Sequence, residues 1–360
     1  MGAKRYNSSN RLLKSMGKVR HVFIFLDGTN CTLETRSNIA SAYQFLRETE
    51  SYTRYYQPGP AAFSRIKTLD NWLAPNVELK AVEAFQAIVA LDLSPEDRLY
   101  IFGYSRGAIV ARLLALFIAS KKHLIAVSAR GLDFERSVRA QISFLCLFDP
   151  VIGWPRFFRS KVIDHDAVLE PKIGFYLELI ARDEVRLLFP SDSYFASSAT
   201  TKKIETVTST SRADTTEDRE NALLELQLIK TRKSVWFPGK HADVGGHGKD
   251  KRIGSHALAT ALQELISIPP KLEEPIILDP SDLQALLARC ASNGDEFHVP
   301  GCVYMMWRRL VGRRLRRAPE DRKLVQHFTH PTCQEYSTTA TLVEHYPLYP
   351  VYPSLATVGE

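Results

Sequence analysis

Three residues of this sequence are of the types that act together in nucleophilic acyl transfer: Ser105, Asp149 and His241. Ser105 lies at the centre of GYSRG (103–107), a G-x-S-x-G sequence. In such a set the serine hydroxyl attacks a carbonyl carbon, the histidine accepts its proton, and the carboxylate orients the imidazole. The types and their order along the chain therefore predict hydrolysis of a carboxylic acid derivative.

The residues around Ser105 predict a strand, a tight turn and a helix. Leu99–Phe102 is a short apolar run, and apolar residues recur at helical spacing from Ile109 to Phe117. The glycines at 103 and 107 remove side chains that would collide in so tight a turn. This context predicts a nucleophile elbow, and the alternative is a plain strand–helix turn with an exposed serine.

Backbone N–H groups near Ser105 are the predicted donors to an oxyanion. Arg106 begins the helix, where N–H groups lack partners within the helix. The second donor is predicted to be Gly28 or Thr29, which follow the apolar run His21–Leu26 and Asp27. The alternative for this stretch is an ordinary turn in which Asp27 acts as a cap.

The proposed acid and base each follow a predicted strand. Asp149 comes directly after Gln141–Phe148, and His241 comes shortly after Ser234–Pro238. The order serine, aspartate, histidine is that of α/β-hydrolases. Asp243 is an alternative acid, although it would need a sharp turn to reach the ring of His241. A metal site built from His241, Asp243 and His247 is a weaker alternative, because no further cluster of ligands supports it.

The remaining periodicity predicts an α/β protein with a doubly wound, mostly parallel sheet and helices on both faces. A second strand is predicted near Thr53–Pro60. Besides the helix after Ser105, helices are predicted at Ser37–Arg47, Leu79–Leu91, Leu177–Pro190 and Ser255–Leu265, and a short helix is predicted from Ser281.

The predicted organisation is one catalytic domain with two flanking segments. Residues 1–18 are predicted to be a disordered basic arm, residues 19–268 an α/β-hydrolase-like catalytic domain, and residues 269–360 a helical or irregular extension packed on it. Residues 191–220, rich in Ser and Thr, are predicted to be a flexible insertion, either a lid or a plain loop. Val303–Arg317 is a basic amphipathic sequence, typical of a helix on an anionic membrane or of an ordinary surface helix.

Composition excludes several classes of protein. The net charge of +7 fits an anionic partner such as a phospholipid surface, and no nucleic-acid-binding motif accompanies it. The five cysteines form no C-x-x-C pair, which favours reduced thiols and makes a zinc site built on cysteine implausible. The sequence has no signal peptide or membrane-spanning stretch. A cytoplasmic location is therefore predicted, with peripheral membrane association or export without a signal peptide as alternatives.

Five blocks of sequence together resemble one family. They are FLDGTN (25–30), FGYSRGAIVAR (102–112), LFDPV (147–151), IARDEVRLLFP (180–190) and VWFPGKHADVGGHG (235–248). In order and spacing they resemble the DUF2235 hydrolases, a family related to the catalytic domains of type VI secretion phospholipase effectors. The resemblance implies an α/β-hydrolase fold and a lipid ester as substrate.

The sequence thus predicts a serine esterase or lipase that uses Ser105, His241 and Asp149, without a cofactor or metal. The substrate is predicted to be a lipid or small ester, and contact with an anionic membrane is part of the same hypothesis. Two alternatives remain: a catalytically silent α/β-hydrolase-like binding module, and an acyl hydrolase acting on a thioester or peptide. Nothing in the sequence indicates the oligomeric state.

Overall fold

The fold is built on one parallel sheet with helices on both of its faces. The computed structural model describes residues 19–60, 62, 77–119, 138–151, 173–184, 231–248, 251–268, 280–291 and 326–329. Within these residues the sheet has seven strands in the order β2-β1-β3-β4-β5-β6-β7. Every neighbouring pair of strands is parallel. This confirms the predicted class, an α/β-hydrolase-like doubly wound sheet.

Strands and helices alternate in the first half of the described chain, as crossover connections between parallel strands require. In chain order they are β1 (His21–Leu26), a 3₁₀ turn (Leu33–Thr35), α1 (Asn38–Phe45), β2 (Tyr52–Gln57), α2 (Val77–Val89), β3 (Arg98–Tyr104), α3 (Arg106–Ala119), β4 (Gln141–Phe148), β5 (Ile173–Ala181), β6 (Arg232–Phe237), α4 (His241–Val244), α5 (Lys251–Ser267), α6 (Pro280–Ala291) and β7 (Gln326–Thr329).

Each face of the sheet contributes to its own apolar core. Phe23 and Phe25 of β1 belong to one core, which they share with α1, α5 and α6. Val22 and Ile24 belong to the opposite core, which α2 and α3 cover. Because both faces are covered, the central strands are apolar at consecutive positions and do not alternate with polar residues.

The sheet brings the carboxyl ends of all seven strands to one edge. The strand order reverses between β1 and β3, since β2 lies beyond β1 on one side while β3 to β7 continue on the other. In an open α/β sheet the crevice at such a reversal, outside the carboxyl ends of the strands, is where ligands bind. Asp27, Ser105 and Asp149 all follow directly after strands at this edge.

One predicted helix is wrong. The sequence of Leu177–Pro190 was expected to form an amphipathic helix, but residues 177–181 are the end of β5 and are buried. An apolar run this short is compatible with either a buried strand or a helix. Glu178 interrupts the run with a polar residue, and this gave the sequence the pattern of an amphipathic helix. Three described elements were not predicted: the 3₁₀ turn, the short helix α4 and the strand β7, which lies in a segment expected to be helical or irregular. The remaining described elements agree with the predicted ones to within a few residues.

Several predictions fall outside the described residues, namely the basic arm at 1–18, the insertion at 191–220 and the amphipathic sequence at 303–317. The domain boundaries therefore stay predictions. The described residues of the 269–360 segment form two elements: α6, which packs on α5, and β7, which adds a strand beside β6. No helix in the described part of the chain is long and apolar enough to cross a membrane.

Candidate active site

Ser105 occupies a strained turn between β3 and α3. Its φ is 56°, in the left-handed region that non-glycine residues rarely adopt. The turn is held to the next strand, because the Ser105 N–H donates to the carbonyl of Phe148 over 3.0 Å. A Cβ at Gly107 would lie 2.3 Å from the carbonyl oxygen of Asp27, so only glycine fits at that position. The sequence GYSRG therefore forms the predicted elbow geometry.

The structure brings Ser105, His241 and Asp149 together. His241 Nε2 lies 2.8 Å from Ser105 Oγ, and His241 Nδ1 lies 2.7 Å from Asp149 Oδ2. Ser105 and His241 are 5% and 4% exposed, and Asp149 is fully buried. In this arrangement the imidazole is positioned to accept the serine proton, and the carboxylate is positioned to stabilise the resulting imidazolium.

Asp149 is fixed by the strand next to its own. Its N–H donates to the carbonyl of Leu179 over 2.7 Å, and its Oδ1 accepts the N–H of Ala181 over 2.9 Å. The φ of Asp149 is 40°, which turns the side chain away from the line of β4. One carboxylate oxygen is therefore bound to β5, and the other is left for His241.

Asp243 does not contact the imidazole in this way. Its Oδ2 accepts the N–H of Lys240 over 2.8 Å and so caps the short helix α4. A Cβ at Gly248 would lie 2.1 Å from Asp243 Oδ1, which shows how closely that loop packs on the carboxylate.

The alternative of a metal site gains no support, because both ring nitrogens of His241 contact Ser105 and Asp149. The described residues contain no cluster of three metal-ligating side chains.

Tyr104 supports the imidazole from the other side of the elbow. Its ring stacks on the His241 ring with 4.8 Å between centroids, and its hydroxyl donates to the His241 carbonyl over 3.2 Å. Its phenol also packs on Gly245, where a Cβ would lie 2.2 Å from Tyr104 Cζ. Tyr104 therefore fixes the position of the His241 ring.

Two acidic residues that follow β5 were missed as contributors to the site. Asp183 Oδ2 accepts the N–H of Gly239 over 2.8 Å, and Glu184 Oε2 accepts the N–H of His241 over 3.1 Å. Glu184 is 3% exposed. Both residues belong to the block IARDEVRLLFP, whose acidic pair was the available signal. They hold the loop that carries His241 against the end of β5.

Replacing Glu184 with alanine is expected to lower kcat by about ten- to a hundredfold. The His241 N–H would be left buried without this acceptor, which costs about 1–3 kcal/mol. Glu184→Gln keeps an acceptor oxygen and should retain most of the activity. Steady-state kinetics and the thermal midpoint of both variants check this, and an alanine variant with wild-type kcat would contradict it.

Two of the three predicted oxyanion donors, Arg106 and Gly28, lie beside Ser105. Arg106 is the first residue of α3, and burial lowers the pKa of its guanidinium. Gly28 packs against the nucleophile, since a Cβ there would lie 3.2 Å from Ser105 Cβ. However, the Gly28 N–H donates to Asp27 Oδ1 over 2.7 Å, whereas the Thr29 N–H forms no hydrogen bond within the described residues. Thr29 is therefore the better candidate for the second donor.

Asp27 is a buried carboxylate beside this loop. It is 1% exposed. Burial raises its pKa from 3.8 to about 6, against the opposing effect of hydrogen bonds from Tyr56, Ser37 and Gly28. The Asp27 charge also contributes, after burial, to raising the pKa of Cys31 to about 12. At neutral pH the aspartate is thus mostly ionised and the thiol is neutral.

The raised pKa of Asp27 predicts a specific dependence of stability on pH. Because the folded protein holds this proton more tightly than the unfolded chain, ionisation of Asp27 costs stability between pH 3.8 and about pH 6. A shift of this size corresponds to about 3 kcal/mol. The unfolding free energy of Asp27→Asn should therefore rise relative to wild type across this range, measured by urea denaturation at pH 4 and pH 7. A difference that is the same at both pH values would contradict it.

The fold and the site together define an α/β-hydrolase-like protein. Comparison with protein families identifies the family within this class. The family model described as "T6SS, Phospholipase effector Tle1-like, catalytic domain" matches residues 20–124 and 120–267. The chain therefore belongs to this family of type VI secretion phospholipase effector catalytic domains. The match does not bear on the name DUF2235, which stays a prediction.

Two solved structures are similar to parts of the chain. One is a Tle1 effector bound to the VgrG spike of the type 6 secretion system, with 19% identity, a TM-score of 0.37, and coverage of 64% of this chain and 51% of that chain. The other is an uncharacterized protein from Pseudomonas aeruginosa, with 17% identity, a TM-score of 0.39, and coverage of 78% and 52%. The chain thus matches only about half the length of each of these proteins. No curated protein is similar enough in sequence to count as a relative.

Proposed function

We propose that this protein is a serine hydrolase that cleaves carboxylic esters of phospholipids through an acyl-enzyme. The observation that carries the proposal is the continuous contact from Ser105 Oγ through the His241 ring to Asp149, at 2.8 Å and 2.7 Å. Membership in a phospholipase effector family supports a lipid ester as the substrate. Export without a signal peptide, one of the predicted locations, fits the same family.

In the first half of the proposed reaction Ser105 becomes acylated. Its Oγ attacks the ester carbonyl carbon while His241 Nε2 takes the hydroxyl proton. The tetrahedral intermediate then collapses, and the imidazolium gives this proton to the departing alcohol or lysolipid. Asp149, bound to Nδ1, holds the ring in the tautomer that accepts at Nε2.

In the second half the acyl-enzyme is hydrolysed. His241 takes a proton from water, whose oxygen attacks the acyl carbon. Collapse of the second intermediate releases the fatty acid and returns the proton to Ser105. In both halves the oxyanion is stabilised by the N–H groups of Arg106 and Thr29, and one such donor is typically worth about 3–4 kcal/mol.

A catalytically silent binding module is the second candidate. The geometry argues against it, because a protein that only binds has no need for a strained Ser105 or for a buried carboxylate on the imidazole. An acyl hydrolase of thioesters or peptides would use the same residues, so the substrate must be tested directly.

Release of fatty acid from phospholipid vesicles tests the proposal. Vesicles of a neutral phosphatidylcholine and of its mixture with an anionic phosphatidylglycerol are compared with a soluble p-nitrophenyl ester and a thioester, each with wild type and Ser105→Ala. The proposal predicts fatty acid release that depends on Ser105 and is faster on the anionic vesicles. Turnover of the thioester or the soluble ester alone would contradict a phospholipid substrate.

A further inference from the structure

The loop after β1 contains a charged group that the reaction does not use directly. Asp27 is the first residue after the strand, and the nucleophile elbow packs on it: a Cβ at Gly107 would lie 2.3 Å from the Asp27 carbonyl oxygen. The carboxylate is 1% exposed, and within the described residues its hydrogen bonds come only from neutral groups. A buried carboxylate paired only with neutral donors needs a physical explanation.

The hydrogen bonds of Asp27 join three elements. Oδ1 accepts the N–H of Gly28 over 2.7 Å, within the loop itself. The Ser37 hydroxyl, at the start of α1, donates to Oδ1 over 2.9 Å and to Oδ2 over 2.7 Å. The Tyr56 hydroxyl, on β2, donates to Oδ2 over 2.7 Å. One side chain thus ties the loop to both elements that flank it.

These contacts determine which amide of the loop can face the substrate. Because the Gly28 N–H already donates to Asp27 Oδ1, the Thr29 N–H is the donor of this loop that remains for the substrate. The loop is closed from the other side by Asn30, whose N–H donates to the carbonyl of Pro60 over 3.1 Å, and by Gly59, whose N–H donates to that of Cys31 over 3.0 Å.

We propose that Asp27 is a positioning residue, which holds the Gly28–Thr29 peptide in the orientation that presents the Thr29 N–H to the oxyanion. This inference rests on the proposed function and deepens it. The carboxylate form is required, because an ionised carboxylate offers acceptors to all three neighbours. An asparagine would turn an NH₂ group towards one of the donors and disturb the peptide.

A role in folding alone is a poor explanation of this carboxylate. Burial raises the pKa of Asp27 to about 6, so its ionised form costs stability at neutral pH. Asp97, at the start of β3 on the opposite edge of the sheet, provides the contrast. It is also buried, but hydrogen bonds from Arg20 and Ser94 outweigh the effect of burial and lower its pKa. Asp97 therefore stabilises the fold, while Asp27 is kept ionised at a cost.

The test compares Asp27→Asn with the matched control Asp97→Asn at pH 8. For each variant kcat and KM on a soluble p-nitrophenyl ester and the thermal midpoint are measured. We expect Asp27→Asn to lower kcat by at least about thirtyfold, with KM within about twofold of wild type and a midpoint no lower than wild type. Asp97→Asn should lower the midpoint and leave kcat within about twofold. Tyr56→Phe, which removes one donor, should lower kcat severalfold.

Two outcomes would overturn the inference. The first is that Asp27→Asn retains kcat within about threefold. The second is that it loses activity only in proportion to a fall in its thermal midpoint, as a structural residue would. If the wild-type protein shows no ester hydrolysis that depends on Ser105, both the proposed function and this inference are contradicted. An active wild type with an equally active Asp27→Asn contradicts this inference alone.

Discussion

Replacing Ser105 with alanine is expected to lower kcat for ester hydrolysis by at least about a thousandfold, and replacing His241 with alanine should do the same. Without the hydroxyl no acyl-enzyme forms, and without the imidazole nothing accepts the proton as Ser105 attacks. The double variant should be little worse than either single one, since the two residues act as a unit. Steady-state hydrolysis of a short-chain p-nitrophenyl ester measures all three.

Ser255→Ala is the matched control for this experiment. Ser255 is as buried as Ser105, at 5% exposed, and its hydroxyl donates to the Lys251 carbonyl within α5. Its Oγ also accepts a hydrogen bond from Arg289 Nε over 3.1 Å. The variant should retain kcat within about twofold, because neither of the two hydrogen bonds that are lost involves Ser105, His241 or Asp149. Activity that survives in Ser105→Ala would mean that another residue, or another site, performs the hydrolysis.

Replacing Asp149 with asparagine is expected to lower kcat by about 10⁴-fold. The variant keeps an oxygen for the Ala181 N–H, but its NH₂ group then faces His241 Nδ1 and favours the tautomer that cannot accept a proton at Nε2. The fold should survive, because shape and volume hardly change. Kinetics at saturating substrate, with circular dichroism as a check of folding, measure this.

Asp243→Asn separates the two candidate acids. Asp243 caps α4 through the Lys240 N–H, so its loss should cost about 1 kcal/mol of stability and less than about tenfold in kcat. If Asp243→Asn were the more damaging of the two variants, Asp243 would be the acid and the arrangement around Asp149 would be structural.

The sequence predicts the parts of the site that depend on local pattern. The strand Gln141–Phe148 and the turn at Ser105 are marked by apolar runs that end at a polar residue or a glycine, and such signals need no knowledge of the rest of the fold. The parallel order of the strands then places Asp149 and His241 at the same edge as Ser105. Their contact distances could not be predicted, because they depend on the register of three strands.

What the sequence did not predict depends on contacts between distant segments. Leu177–Ala181 was expected to be helical. It is in fact a strand buried on both faces, and this burial depends on packing against distant segments, so the local periodicity did not reveal it. The acidic pair that contains Glu184 marked a candidate, but nothing local indicated that Glu184 would bind the backbone of His241, which lies 57 residues further along the chain. Asp27 looked like an ordinary turn or cap residue, since its partners Ser37 and Tyr56 lie on two other elements.

The most direct test of the account is the site of covalent labelling by a fluorophosphonate. The reagent forms a phosphonyl ester with an activated serine, and mass spectrometry of the digested protein identifies the residue that carries it. We predict one adduct per chain, on Ser105, which is absent in Ser105→Ala and forms much more slowly in His241→Ala. An unlabelled wild-type protein, or an adduct on a different serine, would contradict the claim that Ser105 is the nucleophile.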